Sequence, residues 1–264
     1  MKPDNSFLLP ESLLERLKSA NHVMVLTGAG MSAESGIPTF RDAQTGIWSK
    51  FRPEDLATPQ AFTAHPERVW SWYEDRRKKV SNAVPHAGHY ALVELESIMP
   101  RLSIVTQNVD ELHQRSGSGN VIELHGNIMR SICHLTARPI DDEWLAKSDD
   151  CPPRSPWAEH GLARPAVVWF GESLPAGAMD AAMDAAVLCD LCFSIGTTSL
   201  VQPAASLPLL AVENGAILVE INPQETPLSL HADYCLRGSA SNALISIIHQ
   251  LKNPGLASES SVII

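Results

Sequence analysis

Residues 23–42 read VMVLTGAGMSAESGIPTFRD, and no other run limits the fold as tightly. The run opens on apolar residues of the kind buried in a parallel sheet. It then turns at Gly28 and Gly30 and sets Ala33 where the third small residue of a G-x-G-x-x-G/A fingerprint falls. Glycines allow the tight turn, and their missing side chains let backbone N–H groups close on a pyrophosphate at a helix N-terminus. A strand–turn–helix with no ligand satisfies the same fingerprint. The continuation, Ser35-Gly36-Ile37-Pro38-Thr39-Phe40-Arg41-Asp42, is a proline-interrupted, arginine-bearing loop for which an ordinary dehydrogenase has no use.

With 264 residues, 44% hydrophobic and 19% charged, the chain can bury a large core as one domain carrying an inserted lobe. A formal net charge of −10 and a pI near 5.4 argue against nucleic acid or an anionic membrane as the main partner. No apolar run reaches the ~18 residues needed to cross a bilayer. The segment before the first strand has neither the basic and apolar regions of a signal peptide nor the arginines of a transit peptide. Five cysteines at irregular spacings indicate a reducing compartment rather than a disulfide framework. These features set the expectation of a cytoplasmic monomer without nucleic-acid or membrane partners.

Apolar spacing predicts helices over residues 11–20, 67–81, 86–98, 179–187, 201–213 and 241–251. Strands are expected at 23–27, 102–105, 121–124, 167–170, 191–195 and 217–221. Strands alternating with helices of this length imply an α/β fold, a Rossmann-like, doubly wound parallel sheet. Residues 46–84 are rich in Trp, Phe and Arg and broken by prolines, and 129–164 lose periodicity. The expected division is a Rossmann-like domain at 1–45, 85–130 and 165–264, with a small lobe from 46–84 and 131–164. In such sheets ligands lie beyond the carboxyl ends of the strands. Gly28, Gln107, His125, Gly196 and Asn222 all fall there.

An NAD-linked dehydrogenase would carry an acidic residue ~20 positions after its glycine loop, at a second strand end. Proline- and aromatic-rich helical sequence stands there instead. Four further segments follow: Thr106-Gln107-Asn108-Val109-Asp110, Glu123-Leu124-His125-Gly126, Val167-Val168-Trp169-Phe170-Gly171-Glu172 and Gly196-Thr197-Thr198-Ser199. With the glycine loop and in this order, they make the chain similar to the sirtuins, the NAD-dependent protein-lysine deacylases. The similarity runs from about residue 11 to residue 251.

That resemblance implies NAD as cofactor, held by Gly28, Ala29, Gly30, Ala33, Ile37, Thr39, Phe40, Arg41 and Gln107, then by Gly196, Thr197, Ser199, Asn222, Ser239 and Ala240. It implies that Asn108 and Asp110, with Ile37, line the nicotinamide pocket; a carboxamide needs one acceptor and one donor in fixed places. It makes His125 the general base, with Asn108 also catalytic, and an imidazole pKa near 6.5 suits proton removal near neutrality. Val168, Phe170, Gly171 and Glu172 would pair with an extended acyl-lysine peptide. The acyl carbonyl oxygen would attack the anomeric carbon as nicotinamide leaves, giving free lysine and O-acyl-ADP-ribose.

Ala57 and the Tyr73-x-x-Arg76 pair resemble the subclass that removes succinyl and malonyl groups as well as acetyl. Tyr73 and Arg76 share one helix face and would grip a distal carboxylate, Arg by a charge-assisted fork. Read without the family, Arg76 belongs to a solvated basic face. Most sirtuins hold a structural zinc between two C-x2-C pairs; here Cys133 and Cys151 remain, with Thr136 and Arg154 at the partner positions. They are read as remnants, zinc is not expected, and Trp144, Leu145 and Trp157 would pack in its place. Two alternatives stay open: an ADP-ribosyltransferase or NAD hydrolase on the same scaffold, and a non-catalytic NAD-sensing protein.

Overall fold

A computed structural model describes residues 8–37 and 51–253. Thr39, Phe40 and Arg41 lie outside the described residues.

The first helix, α1 (Glu11–Ser19), buries Leu13, Leu14 and Leu17 and leads into β1 (His22–Thr27), which is buried along its whole length. A four-residue helix, α2 (Ala29–Ser32), and a 3-10 turn (Ala33–Ser35) follow the glycine loop. Then come α3 (Pro59–Ala64), α4 (Pro66–Asn82), α5 (Ala87–Ile98), β2 (Arg101–Thr106), α6 (Leu112–Ser116) and β3 (Val121–Glu123). The second half holds β4 (Gly126–Cys133), β5 (Pro139–Ile140), α7 (Asp142–Leu145), β6 (Ala163–Val167), α8 (Ala176–Leu188) and β7 (Leu191–Ile195). It closes with α9 (Leu207–Glu213), β8 (Ile217–Ile221), β9 (Tyr234–Leu236) and α10 (Ala240–Lys252).

Six strands form one sheet in the order β3-β2-β1-β7-β8-β9, with every pairing parallel. This is the doubly wound order expected, with its switch point between β1 and β7. On one face α1, α5 and α10 bury an apolar cluster that includes Leu13, Leu92 and Ile247 against Val25 and Phe193. On the other, the alanines of α8 (Ala182, Ala185, Ala186) bring that helix close to Met24 and Leu218. Full burial of a Leu, Ile or Phe side chain contributes about 1.5–3 kcal/mol each, so the two layers hold the sheet from both sides.

A second, antiparallel sheet, β5-β4-β6, underlies the region where the sequence loses periodicity. The expected strand at 167–170 is displaced: β6 occupies Ala163–Val167 and residues 168–170 leave the sheet. Pro165 disguises the true strand, because a proline gives no ladder N–H; the pairing with β4 shifts register between Asn127 and Ser131, close to where it pairs. The helix predicted over 201–213 is also shorter. Pro203 and Pro208 restrict it to a 3-10 turn at Ala204–Ser206 and then α9, with Pro208 in its first turn. Around α4 and the second sheet, Leu56, Phe62, Trp72, Tyr73, Ile128 and Trp169 form a separate apolar cluster that reaches Ile37 and Leu112.

Candidate active site

The loops after β1 and β7 meet backbone to backbone at the switch point. Gly28 N–H donates to the Ile195 carbonyl at 3.0 Å and Gly30 N–H to the Gly196 carbonyl at 2.8 Å. A Cβ on Gly30 would lie 2.6 Å from Gly196 Cα, and one on Gly196, whose φ is +60°, would lie 2.5 Å from Met31 N. These glycines are therefore required by the contact between the two loops, whatever else they approach. Ala29 is half-buried here and Ala33 is exposed at the start of the 3-10 turn.

Beyond Gly196, Asn222 Nδ2 donates to the Thr197 carbonyl at 2.9 Å, and Thr197 Oγ1 receives Ser199 N–H at 3.1 Å and Gln107 Nε2 at 3.3 Å. The ends of β2, β7 and β8 are thus tied into one rim. Ser199, in the left-handed region at φ +57°, carries a buried hydroxyl with no partner among the described residues. A cradle too tight for a Cβ, with an orphaned hydroxyl on its wall, suits a nucleotide phosphate or ribose. Ser239 caps α10 by accepting Asn242 N–H at 3.3 Å, with Ala240 buried beside it. Glu34 accepts Ser241 N–H at 3.0 Å, which ties the start of α10 to the segment after the glycine loop.

Asn108 and Asp110 are joined by a residue the sequence reading passed over, Ser32. Asn108 Nδ2 donates to the Gly28 carbonyl and to Ser32 Oγ, each at 3.0 Å, and Ser32 Oγ donates to Asp110 Oδ2 at 2.6 Å. Both amide hydrogens of Asn108 are used, so its Oδ1 is the atom left to accept. Behind it, Asn108 N–H rests on Thr106 Oγ1, which also receives the Thr27 hydroxyl at 2.8 Å. Asp110 also accepts Leu112 N–H at 3.0 Å, closing a tight turn, and burial pushes its carboxyl pKa up. Ile37 is buried and belongs to the cluster that contains Ala57 and Tyr73.

His125 sits half-buried between β3 and β4. Gly126 follows it at φ +76°, and a Cβ there would come 2.1 Å from the Ala166 carbonyl, so β4 passes too close to β6 for any side chain. His125 Nδ1 lies 3.0 Å from the Gln107 carbonyl. A carbonyl only accepts, so Nδ1 carries the proton and Nε2 holds the basic lone pair. Burial lowers the imidazole pKa, which keeps the ring neutral near pH 7. The His125 carbonyl accepts Val168 N–H at 2.9 Å, and Phe170 N–H goes to the Ala57 carbonyl at 2.9 Å. Residues 168–170 therefore run from His125 to Ala57. Phe170 and Gly171 are exposed, whereas Glu172 turns back: Arg164 forks onto it at 2.6 and 2.8 Å, and Trp169 N–H reaches it at 2.8 Å. The carboxylate of Glu172 braces the segment from behind.

Tyr73 is buried and its phenol pKa is pushed up to about 12 by that burial. It accepts the Trp169 indole N–H at 2.9 Å. Arg76, one turn on, stacks its guanidinium 5.0 Å over the Trp72 ring, and both Tyr73 and Asp110 act on it electrostatically. Arg76 thus points into the interior of the lobe, apart from exposed Lys78 and Lys79 on the same helix.

The residues at the remnant metal site do not fit zinc. The Cys133 sulfur is buried, yet its pKa is lowered: burial raises it, and hydrogen bonds from Ser155, Thr136 and the backbone at Leu135 and Thr136 outweigh that. Cys151 is exposed, with Ser71 Oγ at 3.8 Å. Among the described residues no group of three or more His, Cys, Asp or Glu is arranged to hold a metal ion. The lobe is pinned instead by Trp144 Nε1 on the Arg154 carbonyl at 2.9 Å, Trp157 Nε1 on the Pro139 carbonyl at 2.7 Å, and Arg138 stacked 3.7 Å over Trp157. Trp144 and Trp157 remain partly exposed, so they act through these contacts more than through burial.

Fold and site together define a nucleotide-binding enzyme of the Rossmann type, with a neutral imidazole set between the glycine-loop rim and the extended segment 168–170. The Sir2 family model matches residues 28–203. An NAD-dependent protein deacylase of Methylococcus capsulatus is 48% identical over 249 residues, covering 92% of this chain and 97% of the relative. NAD-dependent protein deacylase 1 of Archaeoglobus fulgidus is 45% identical over 245 residues, covering 92% and 98%. Among solved structures, a Sir2 homolog–NAD complex superposes with a TM-score of 0.85 at 44% identity, covering 93% of this chain and 95% of that one. A Sir2–p53 peptide–NAD+ complex gives 0.79 at 31%, covering 93% and 98%. The chain belongs to the Sir2 family.

Proposed function

We propose that this protein is an NAD-dependent protein-lysine deacylase that accepts acetyl-lysine and, through Tyr73 and Arg76, succinyl- and malonyl-lysine. The observation that carries the reading is the His125–Gln107 hydrogen bond at 3.0 Å, which leaves Nε2 as an unprotonated base beside a backbone edge. NAD fits the rim formed by Gly28, Gly30, Gly196, Thr197, Ser199 and Asn222; when bound it supplies an anomeric carbon activated by its pyridinium leaving group. Asn108 Oδ1 and Asp110 orient the nicotinamide carboxamide, and burial around Ile37 excludes water from it. His125 Nε2 takes a proton from a ribose hydroxyl as the acyl group is transferred to it. The peptide lies along residues 168–171 by main-chain hydrogen bonds, with its acyl chain directed toward Ala57, whose small side chain leaves room for a longer group.

Val168 N–H held by the His125 carbonyl couples the peptide edge to the base, an arrangement that supports a peptide-dependent reaction over simple NAD hydrolysis. We place the enzyme in the cytoplasm as a monomer acting on acylated proteins. The acidic net charge of −10 and the free thiols support this, and no helix of the described residues is long and apolar enough to cross a membrane. The test is NAD-dependent nicotinamide release with unmodified, acetylated and succinylated lysine peptides of one sequence. Release with the acylated peptides alone is expected; equal release without peptide would make the protein an NAD hydrolase.

A further inference from the structure

We propose that Trp169 is a specificity-determining positioning residue: its indole N–H, seated on the Tyr73 oxygen, aims the Tyr73 hydroxyl at the distal carboxylate of a bound acyl chain. The inference rests on the reading of Tyr73 and Arg76 as the acyl-carboxylate grip.

An indole nitrogen donates and never accepts, so at 2.9 Å from Trp169 Nε1 the Tyr73 oxygen must be the acceptor. A phenol proton lies close to the ring plane in one of two positions. With the indole on one side, the proton is held on the other, directed away from Trp169. Burial pushes the phenol pKa up to about 12, so that proton stays on the oxygen throughout the physiological range. Among the described residues no acceptor meets it. A buried donor of this kind needs a partner, and the partner has to arrive with the substrate. An acetyl group ends in a methyl and supplies none. A succinyl or malonyl group ends in a carboxylate, which accepts from Tyr73 while Arg76, one turn along α4, supplies the positive charge.

Trp169 suits this task because it has little freedom to move. Its backbone N–H is held by Glu172 at 2.8 Å, Arg164 stacks 3.5 Å over its ring, and Phe62 packs at 5.4 Å between ring centroids. Arg164 in turn is locked on Glu172. The clamp that braces the peptide segment therefore also sets the direction of a hydroxyl in the acyl pocket.

The experiment is a double-mutant cycle read as the ratio of kcat/KM for succinyl-lysine over acetyl-lysine in one peptide sequence, for the wild type, Trp169→Phe, Tyr73→Phe and the double variant. Because each protein is normalised to its own acetyl turnover, general damage to the site cancels. Trp169→Phe is expected to lower the ratio about tenfold, the scale of one misdirected hydrogen bond to a charged group. In the Tyr73→Phe background the same change is expected to do nothing further. A ratio that falls with Tyr73→Phe but not with Trp169→Phe overturns the role of Trp169 and leaves the carboxylate grip standing. A drop of equal size in both backgrounds also overturns it, since Trp169 would then act through packing. A wild type with no succinyl turnover, and a ratio unmoved by Tyr73→Phe, removes the grip and the inference together. Trp169→Leu, read in the same way, serves if the phenylalanine ring does not pack.

Discussion

The proton on His125 is placed by Gln107: the Nδ1–carbonyl contact of 3.0 Å selects the tautomer and leaves the lone pair on Nε2. Gln107 is itself held by its N–H on the Thr27 carbonyl at 2.9 Å, so the orientation of the base is set from the centre of the sheet. This hydrogen bond fixes the tautomer, and burial, which lowers the imidazole pKa against it, keeps the ring neutral, the form that the proposed base role requires.

His125→Ala should reduce deacylation by about 10²–10⁴-fold, the usual scale for one general base, while NAD binding persists. Isothermal titration with NAD beside a nicotinamide-release assay checks both. In the wild type, burial holds the imidazole pKa below its ordinary value of 6.5, and the reactive form is the neutral one. The plot of kcat/KM against pH should therefore be flat above pH 6.5 and fall on the acid side, with a midpoint under that value. A midpoint above it would contradict the burial of the ring.

Arg76→Met should raise KM for succinyl-lysine peptides about tenfold or more and change KM for acetyl-lysine peptides far less, because only the former carry a carboxylate to pair with the guanidinium. Steady-state kinetics on the two peptides decides it. Equal changes would return Arg76 to a general structural role.

Glu220 is 1% exposed at the end of β8. Burial pushes its pKa up, but hydrogen bonds from Ser229, Thr226 and Arg237 together outweigh that and leave it below 4.5. Its stabilisation is present above the unfolded value and is lost as pH falls through the folded one. Arg237→Ala removes a charged donor from a buried carboxylate that keeps Ser229 and Thr226, and because Arg237 is partly exposed the loss is about 1.5–3 kcal/mol. Urea melts at pH 7 should show most of that loss, and the difference from wild type should shrink on acidification below pH 4.5.

Chelator treatment should leave both the melting temperature and the activity unchanged, and elemental analysis of the purified protein should find no stoichiometric zinc. Cys133→Ser keeps a small group among Thr136 and Ser155 and should fold normally. Bound zinc at one per chain would mean that ligands other than Cys133 and its neighbours have been recruited.

The local patterns in the chain were readable wherever one force dominated. Mostly apolar strands such as 191–195 and 217–221 suit burial on both faces of a parallel sheet, and they appear there unchanged as β7 and β8. The antiparallel sheet of the lobe was hidden because Pro165 interrupts β6 and because β4 has no strict alternation. Arg76 was ambiguous for a related reason: Arg76, Arg77, Lys78 and Lys79 read as one basic run, and only the packing of α4 separates the inward guanidinium from the outward amines. Ser32 was overlooked because a serine two residues past a glycine carries no distinguishing spacing; its value comes from lying between Asn108 and Asp110.

By itself, the order of residues determined the α/β class, the strand ends where the candidate site residues lie, and the types of group found there, since these follow from periodicity and from glycine's small size. Tertiary structure alone decided which atoms are free to act. The lone pair on His125, the open oxygen on Asn108 and the outward hydroxyl on Tyr73 each depend on a partner distant in sequence that occupies the opposite valence: Gln107, Ser32 and Trp169. Hydrogen-bond direction is a property of a pair of atoms brought to about 3 Å, and linear sequence does not specify which pairs reach that distance.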